Sequence, residues 1–182
     1  MLEREEAKEL VENMVKNKNL IKHMLAAEAV MKSLADKFNE DAGEWGLAGL
    51  LHDIDYDETF DKPEIHALRS AEILSEKNIC EEVIHSIKAH AGKAAKETLM
   101  DKALYAVDPL TGFLVACTLM TPKKKLSNLD REFALRRFKE KGFARGANRE
   151  QMKCCQEIGL SLEEFIDIGI ESMQSISDTL SL

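Results

Sequence analysis

Apolar residues return every three or four positions along almost the whole chain. That spacing lines them up on one face of an α-helix and leaves no convincing alternating stretch for a strand. A first helix is predicted over residues 3–17, with Ala7, Leu10, Val11 and Met14 on its inner side. A second covers about 20–38, where His23, Ala27, Val30, Met31 and Leu34 share a face. Asp41 and Glu44 have the spacing of a capping box ahead of a third helix, about 44–54, which is apolar enough to be central. A polar loop, 55–62, follows, and Pro63 suits the first turn of a helix reaching about residue 77. Further helices are expected over 81–89, closed near Gly92, and over about 94–120, stopped by Pro122. Three more are expected over 130–141, 149–158 and 161–180, the last opened by Ser161 with Glu164. The expected fold is all-α, a single helical bundle of about nine helices with residues 1–182 as one domain.

Composition supports this and narrows the function. With 182 residues the chain can close one sizeable core. Aromatics are only 5% and prolines three, too few for a turn-rich β-sandwich or barrel. A net charge of −8 argues against a nucleic-acid polymer as partner, because phosphate neutralisation needs a basic surface. The N-terminal stretch MLEREEAKEL lacks the basic-then-apolar order of a signal peptide, and the longest apolar run, 113–120, is short for a membrane span. Cys80, Cys117, Cys154 and Cys155 lack Cys-x-x-Cys spacing and read as reduced thiols in a core. A cytoplasmic protein with no membrane partner is expected.

The informative residues are polar groups on apolar faces. Asp108 shares a stripe with Leu104, Thr111, Val115 and Leu119, and Asp53 ends the apolar run that begins at Leu47. A buried carboxylate has to be paired or bound to a cation. His23 lies on the apolar side of its helix, His66 begins the stripe Ser70, Ile73, Leu74, and His90 follows Ile84 and Ile87. Imidazoles and carboxylates together suit divalent transition metals, and adjacent His52 and Asp53 at a helix end can reach one centre. A lone histidine on such a face is more often a satisfied core residue. Spacing alone leaves both possibilities open.

The order His23, His52-Asp53, Asp108 resembles the signature of the HD superfamily, an all-helical group that is mostly phosphohydrolase. The block Leu47-Ala48-Gly49-Leu50-Leu51-His52-Asp53-Ile54-Asp55 resembles the A-x-L-L-H-D-I-G block of its HDIG branch, with Asp55 in place of the glycine. His66-Ala67-Leu68-Arg69-Ser70-Ala71-Glu72-Ile73-Leu74 is similar to the helix that follows in that branch, with Ser70 for a glycine. Ile87-Lys88-Ala89-His90 and Val107-Asp108-Pro109-Leu110-Thr111-Gly112 resemble the last two blocks. The resemblance covers about 20–115 and leaves 123–182 to cap the site or support a homodimer. It implies metal ligands His23, His52, Asp53, His66, His90 and Asp108, with Asp53 bridging two ions; His66 and His90 resemble the binuclear branches. One or two ions of Fe, Mn, Zn, Ni, Co or Mg are expected.

The implied chemistry is attack of metal-activated water on a small phosphorylated substrate, such as a nucleotide or cyclic nucleotide, with Asp53 central to it. Asp55, Asp57 and Asp61 are candidates to protonate the leaving alcohol. Lys88 and the segment 136–149, with six basic residues and one acid, are candidates for the phosphate, in particular Lys141, Arg145 and Arg149. A solvated basic face is the plainer reading of that segment, and a surface or supporting role is the plainer reading of His85. Two other functions fit the same donor set: a diiron oxygenase related to inositol oxygenase, and a non-catalytic metal or ligand sensor.

Overall fold

The computed structural model describes residues 2–182. Each of the nine expected helices has a counterpart: α1 (Arg4–Met14), α2 (Lys18–Phe38), α3 (Ala42–Leu51), α5 (Leu68–Ser75), α6 (Glu81–His90), α7 (Leu99–Leu119), α8 (Arg131–Phe138), α9 (Arg149–Lys153) and α10 (Leu162–Ser175). Two single turns, α4 (Tyr56–Thr59) and α11 (Ser177–Leu180), are additional, and no strand occurs among the described residues. Buried apolar side chains form one cluster running from Ala7 to Leu180.

Helices α2, α3, α6 and α7 carry the architecture. Helix α3 is buried along nearly its whole length and lies against α2. Gly49 permits that approach: a Cβ there would stand 2.7 Å from the main-chain carbon and oxygen of Ala27. Helix α7 has the length and mean hydropathy to cross a bilayer, but 61% of that stretch is buried inside the protein, as a central core helix requires. Pro109 within it offers no N–H to Tyr105 O, and the Gln151 side-chain amide supplies that carbonyl instead, at 2.8 Å. Buried Glu28 is balanced by Arg4 and Lys32, which ties α1 to α2.

Where helix starts differ from expectation, side-chain hydrogen bonds to the first main-chain N–H groups are the cause. Asp41 accepts from Gly43 N and Glu44 N, so α3 begins at Ala42. Helix α7 begins at Leu99 because Thr98 and Asp101 cap it reciprocally. Ser161 and Glu164 form the expected box at α10, which stops at Ser175 before the separate turn α11. Residues 154–158 tighten into a 3-10 turn. The helix expected from Pro63 starts only at Leu68. Its predecessor Ala67 adopts φ +64°, a left-handed conformation held by the Asp55 carboxylate, which accepts from Ala67 N at 2.8 Å and Ser70 N at 3.1 Å. All four cysteines are free thiols, and burial pushes Cys117 up to about 12 and Cys155 up to about 11, so neither is a ready nucleophile.

Candidate metal centre

His52 and Asp53 lie just past the end of α3, in the turn that leads to α4. Ending the helix there lets consecutive side chains turn to one side. His23 comes from α2, His66 from the loop before α5, His90 from the last turn of α6 and Asp108 from the middle of α7. The structure brings all six together. His23 Nε2 is 3.2 Å from Asp108 Oδ1 and 3.7 Å from Asp53 Oδ2, and His52 Nε2 is 3.6 Å from the same Asp53 oxygen. On the other side, His66 Nε2 and His90 Nε2 are 3.4 Å and 3.5 Å from Asp53 Oδ1. The two oxygens of Asp53 thus face two separate donor groups.

The outer nitrogens explain why the inner ones converge. His52 Nδ1–H donates to Gly49 O at 2.8 Å, and His90 Nδ1–H donates to Ile87 O. His66 Nδ1 is 2.9 Å from Asp55 Oδ1, and a carboxylate can only accept, so that nitrogen also carries a proton. His23 Nδ1 is 2.7 Å from Thr111 Oγ1, whose own hydroxyl proton goes to Asp108 O at 3.1 Å. The ring must donate there too. In its neutral form each of the four imidazoles therefore carries the proton on Nδ1 and aims an Nε2 lone pair inward.

This donor set fits a cation. His23 Nε2 and His52 Nε2 stand 3.1 Å apart, and two lone pairs at that distance repel unless positive charge lies between them. Burial, the largest influence, pushes His52 down to about 4, so the ring is neutral at pH 7. Burial alone would raise Asp53, but the surrounding His52, His90 and His23 outweigh it and hold the carboxyl well below the usual range. Asp108 is lowered in the same way, burial being overcome by its bond to His23. His23 and His90 shift upward: burial disfavours their charged forms, but Asp108 and Asp53 respectively prevail. Among the described residues, His23, His52 and Asp108 form one group able to hold a metal ion, and His52, Asp53 and His90 form a second. Buried imidazole with carboxylate suits divalent transition metals.

The other candidates fall elsewhere. Asp55 is fully buried behind His66, orienting it, and is not placed to hand a proton to a leaving group. Asp57 accepts from Lys16 N and Asn17 N, pinning the α1–α2 connection, and Asp61 lies exposed with no bond to the cluster. Lys88 is half-buried on α6, without an ion pair among the described residues. Arg149 is not a free cation: its guanidinium donates to Phe143 O, Ala144 O and Ala147 O and lies 4.7 Å over the Phe113 ring. Lys141 and Arg145 are exposed on the preceding segment. His85 lies outside the cluster, its Nδ1 3.2 Å from Asp101. Sequence reasoning did not single out Thr111 as a partner of His23, although its place three residues after Asp108 on α7 was a usable signal. It also missed Lys22, which lines a cavity of about 410 Å³ beside His23 and Thr111.

An all-helical fold with paired imidazoles around a His-Asp dipeptide defines the class. The profile of the HD domain matches residues 20–129, more than half of the chain, and the chain belongs to that family. A curated relative is Ribonuclease Y of Lawsonia intracellularis (strain PHE/MN1-00), 30% identical over 95 residues. That stretch is 52% of this chain and 18% of the relative, so the chain spans less than a fifth of the relative's length.

Proposed function

We propose that this protein is a metal-dependent phosphohydrolase acting on a small phosphorylated substrate. The observation that carries the reading is the division of Asp53, with one oxygen toward His23 and His52 and the other toward His66 and His90. His23, His52, Asp53 and Asp108 would hold one divalent cation, and Asp53, His66 and His90 a second. Bound there, such cations supply a nucleophile from water near neutral pH and neutralise charge gathering on phosphorus oxygens.

The chain's own residues do the positioning. His52 offers its lone pair at pH 7 with no proton to lose, and its Nδ1 bond to Gly49 O fixes the ring. Asp55 and Thr111 hold His66 and His23 in register. Burial of His52 and His90 excludes water from the back of the cluster, while Asp108, about a third exposed, marks its open side. Through that opening bulk water can protonate a departing alkoxide, which removes the need for Asp57 or Asp61. Membership of the HD family and likeness to a relative whose name describes cleavage of RNA both support phosphoester chemistry.

The test is a screen of phosphate esters with protein loaded separately with manganese, iron or zinc, following phosphate release and oxygen uptake together. Phosphate release that is lost in Asp53→Ala is expected. Oxygen consumption without phosphate release contradicts the proposal and favours a diiron oxygenase.

A further inference from the structure

The open side of the cluster leads into a cleft of about 400 Å³ walled by His23, Asp108, Gly146 and Ala147. Gly146 and Ala147 also line a larger groove of about 930 Å³, whose walls carry Lys139, Lys141 and Arg145. The ridge between the two depressions is the loop 143–147, which lies outside the segment matched by the HD profile.

Arg149 builds this loop. By taking the carbonyls of Phe143, Ala144 and Ala147 onto one guanidinium, it fixes the chain with Ala144 at φ +44°, a left-handed conformation unusual for alanine. The N–H groups of Ala144, Arg145 and Gly146 then donate to no protein acceptor among the described residues. Successive unbonded N–H groups around a left-handed residue form a concavity that suits an anion. Gly146 has open space where a Cβ would stand, so a ligand can approach the main chain closely.

The charges agree. Arg137 pairs with Glu140 and Lys153 with Glu150, yet Lys139, Lys141 and Arg145 have no ion pair among the described residues. In a chain of net charge −8, three unpaired cations lining the groove across the loop from the cleft of His23 and Asp108 mark a place kept for negative charge. We infer that loop 143–147, with Arg145 and Lys141, binds a second phosphate group of the substrate, beyond the one held at the metal cluster. This rests on the phosphohydrolase reading and sharpens it: the preferred substrates carry two or more phosphates.

The experiment is calorimetric titration of the manganese-loaded protein with adenosine 5′-monophosphate, adenosine 5′-diphosphate and adenosine 3′,5′-bisphosphate. At least about tenfold tighter binding of one doubly phosphorylated probe than of the monophosphate is expected, as for an added fork-like charge contact. A gain for the diphosphate places the second phosphate next to the first; a gain for the 3′,5′-bisphosphate places it across a ribose, as in a nucleic-acid strand. The gain should vanish in Lys141→Ala/Arg145→Ala, whose side chains are exposed and whose melting curve serves as the folding control. Equal affinity for all three probes overturns the inference, as does a gain that survives the double substitution. If the wild type turns over no phosphate ester yet the gain is present and lost in the variant, the anion site stands and the phosphohydrolase reading falls. If turnover is present without the gain, the anion site alone falls.

Discussion

Replacing Asp55 by alanine separates the support of the site from its donors. Asp55 is fully buried and accepts from His66 Nδ1, Ala67 N and Ser70 N. The two main-chain groups have no other acceptor among the described residues. Stranding each costs about 1–3 kcal/mol, so the variant should lose roughly 2–6 kcal/mol. For a chain of this size that lowers the melting temperature by on the order of 10 °C. The second effect falls on the cation. Freed from Asp55, the His66 ring loses both its tautomer and its direction, and such supporting bonds are typically worth about 10–100-fold in metal affinity. Only the position fed by His66 and His90 should weaken; the one fed by His23, His52 and Asp108 is anchored by Thr111 and Gly49 instead. Calorimetric titration with manganese resolves the two. Asp55→Asn should fall between, because its single oxygen can serve His66 or the two N–H groups but not both. If Asp55→Ala binds both equivalents as tightly as wild type, orientation through Asp55 contributes nothing and the reasoning is wrong.

Four other outcomes follow from the same structure. Gly49→Ala should lose about 1–3 kcal/mol by overpacking against the Ala27 main chain, and should also weaken cation binding by displacing the carbonyl that holds His52; unchanged thermal melting contradicts this. Asp53→Ala should remove both equivalents of metal, read by elemental analysis after gel filtration, and retention of both would count against a bridging role. Arg149→Ala should lower the melting temperature by several degrees through the Phe143 and Ala147 carbonyls it leaves without a donor, roughly 1–3 kcal/mol, whereas a change in substrate affinity alone would show that it contacts ligand instead. Because His23 and His90 keep their protons to higher pH than ordinary histidines, a cation must displace protons there, so affinity should rise as the pH climbs through and above the ordinary histidine range, with protons released. Calorimetry in buffers of different ionisation heat reads that release, and affinity that falls with rising pH reverses the sign.

The helical periodicity was enough to locate nine helices, because each buries one apolar stripe and a stripe is a local property. Ends were less legible. Pro63 is a good first-turn residue, but the Asp55 carboxylate draws in the N–H groups of Ala67 and Ser70 and delays α5 to Leu68. Asp108 and His23 announced themselves as polar residues on apolar faces, while their meeting with four other side chains depends on how α2, α3, α6 and α7 pack. The roles of Asp55 and Arg149 were invisible for one reason: each answers main-chain groups that only the folded loops leave unbonded. Read from sequence, Asp55 was a candidate acid and Arg149 a candidate phosphate contact, and the same charge that suggested chemistry is used to hold the chain.

The most direct measurement is anomalous scattering at the manganese edge from crystals of the manganese-loaded protein. Two peaks are expected, one on each side of the Asp53 carboxylate, the first among His23, His52 and Asp108 and the second between His66 and His90. No peak within bonding reach of Asp53, in crystals that hold manganese elsewhere, would contradict the account.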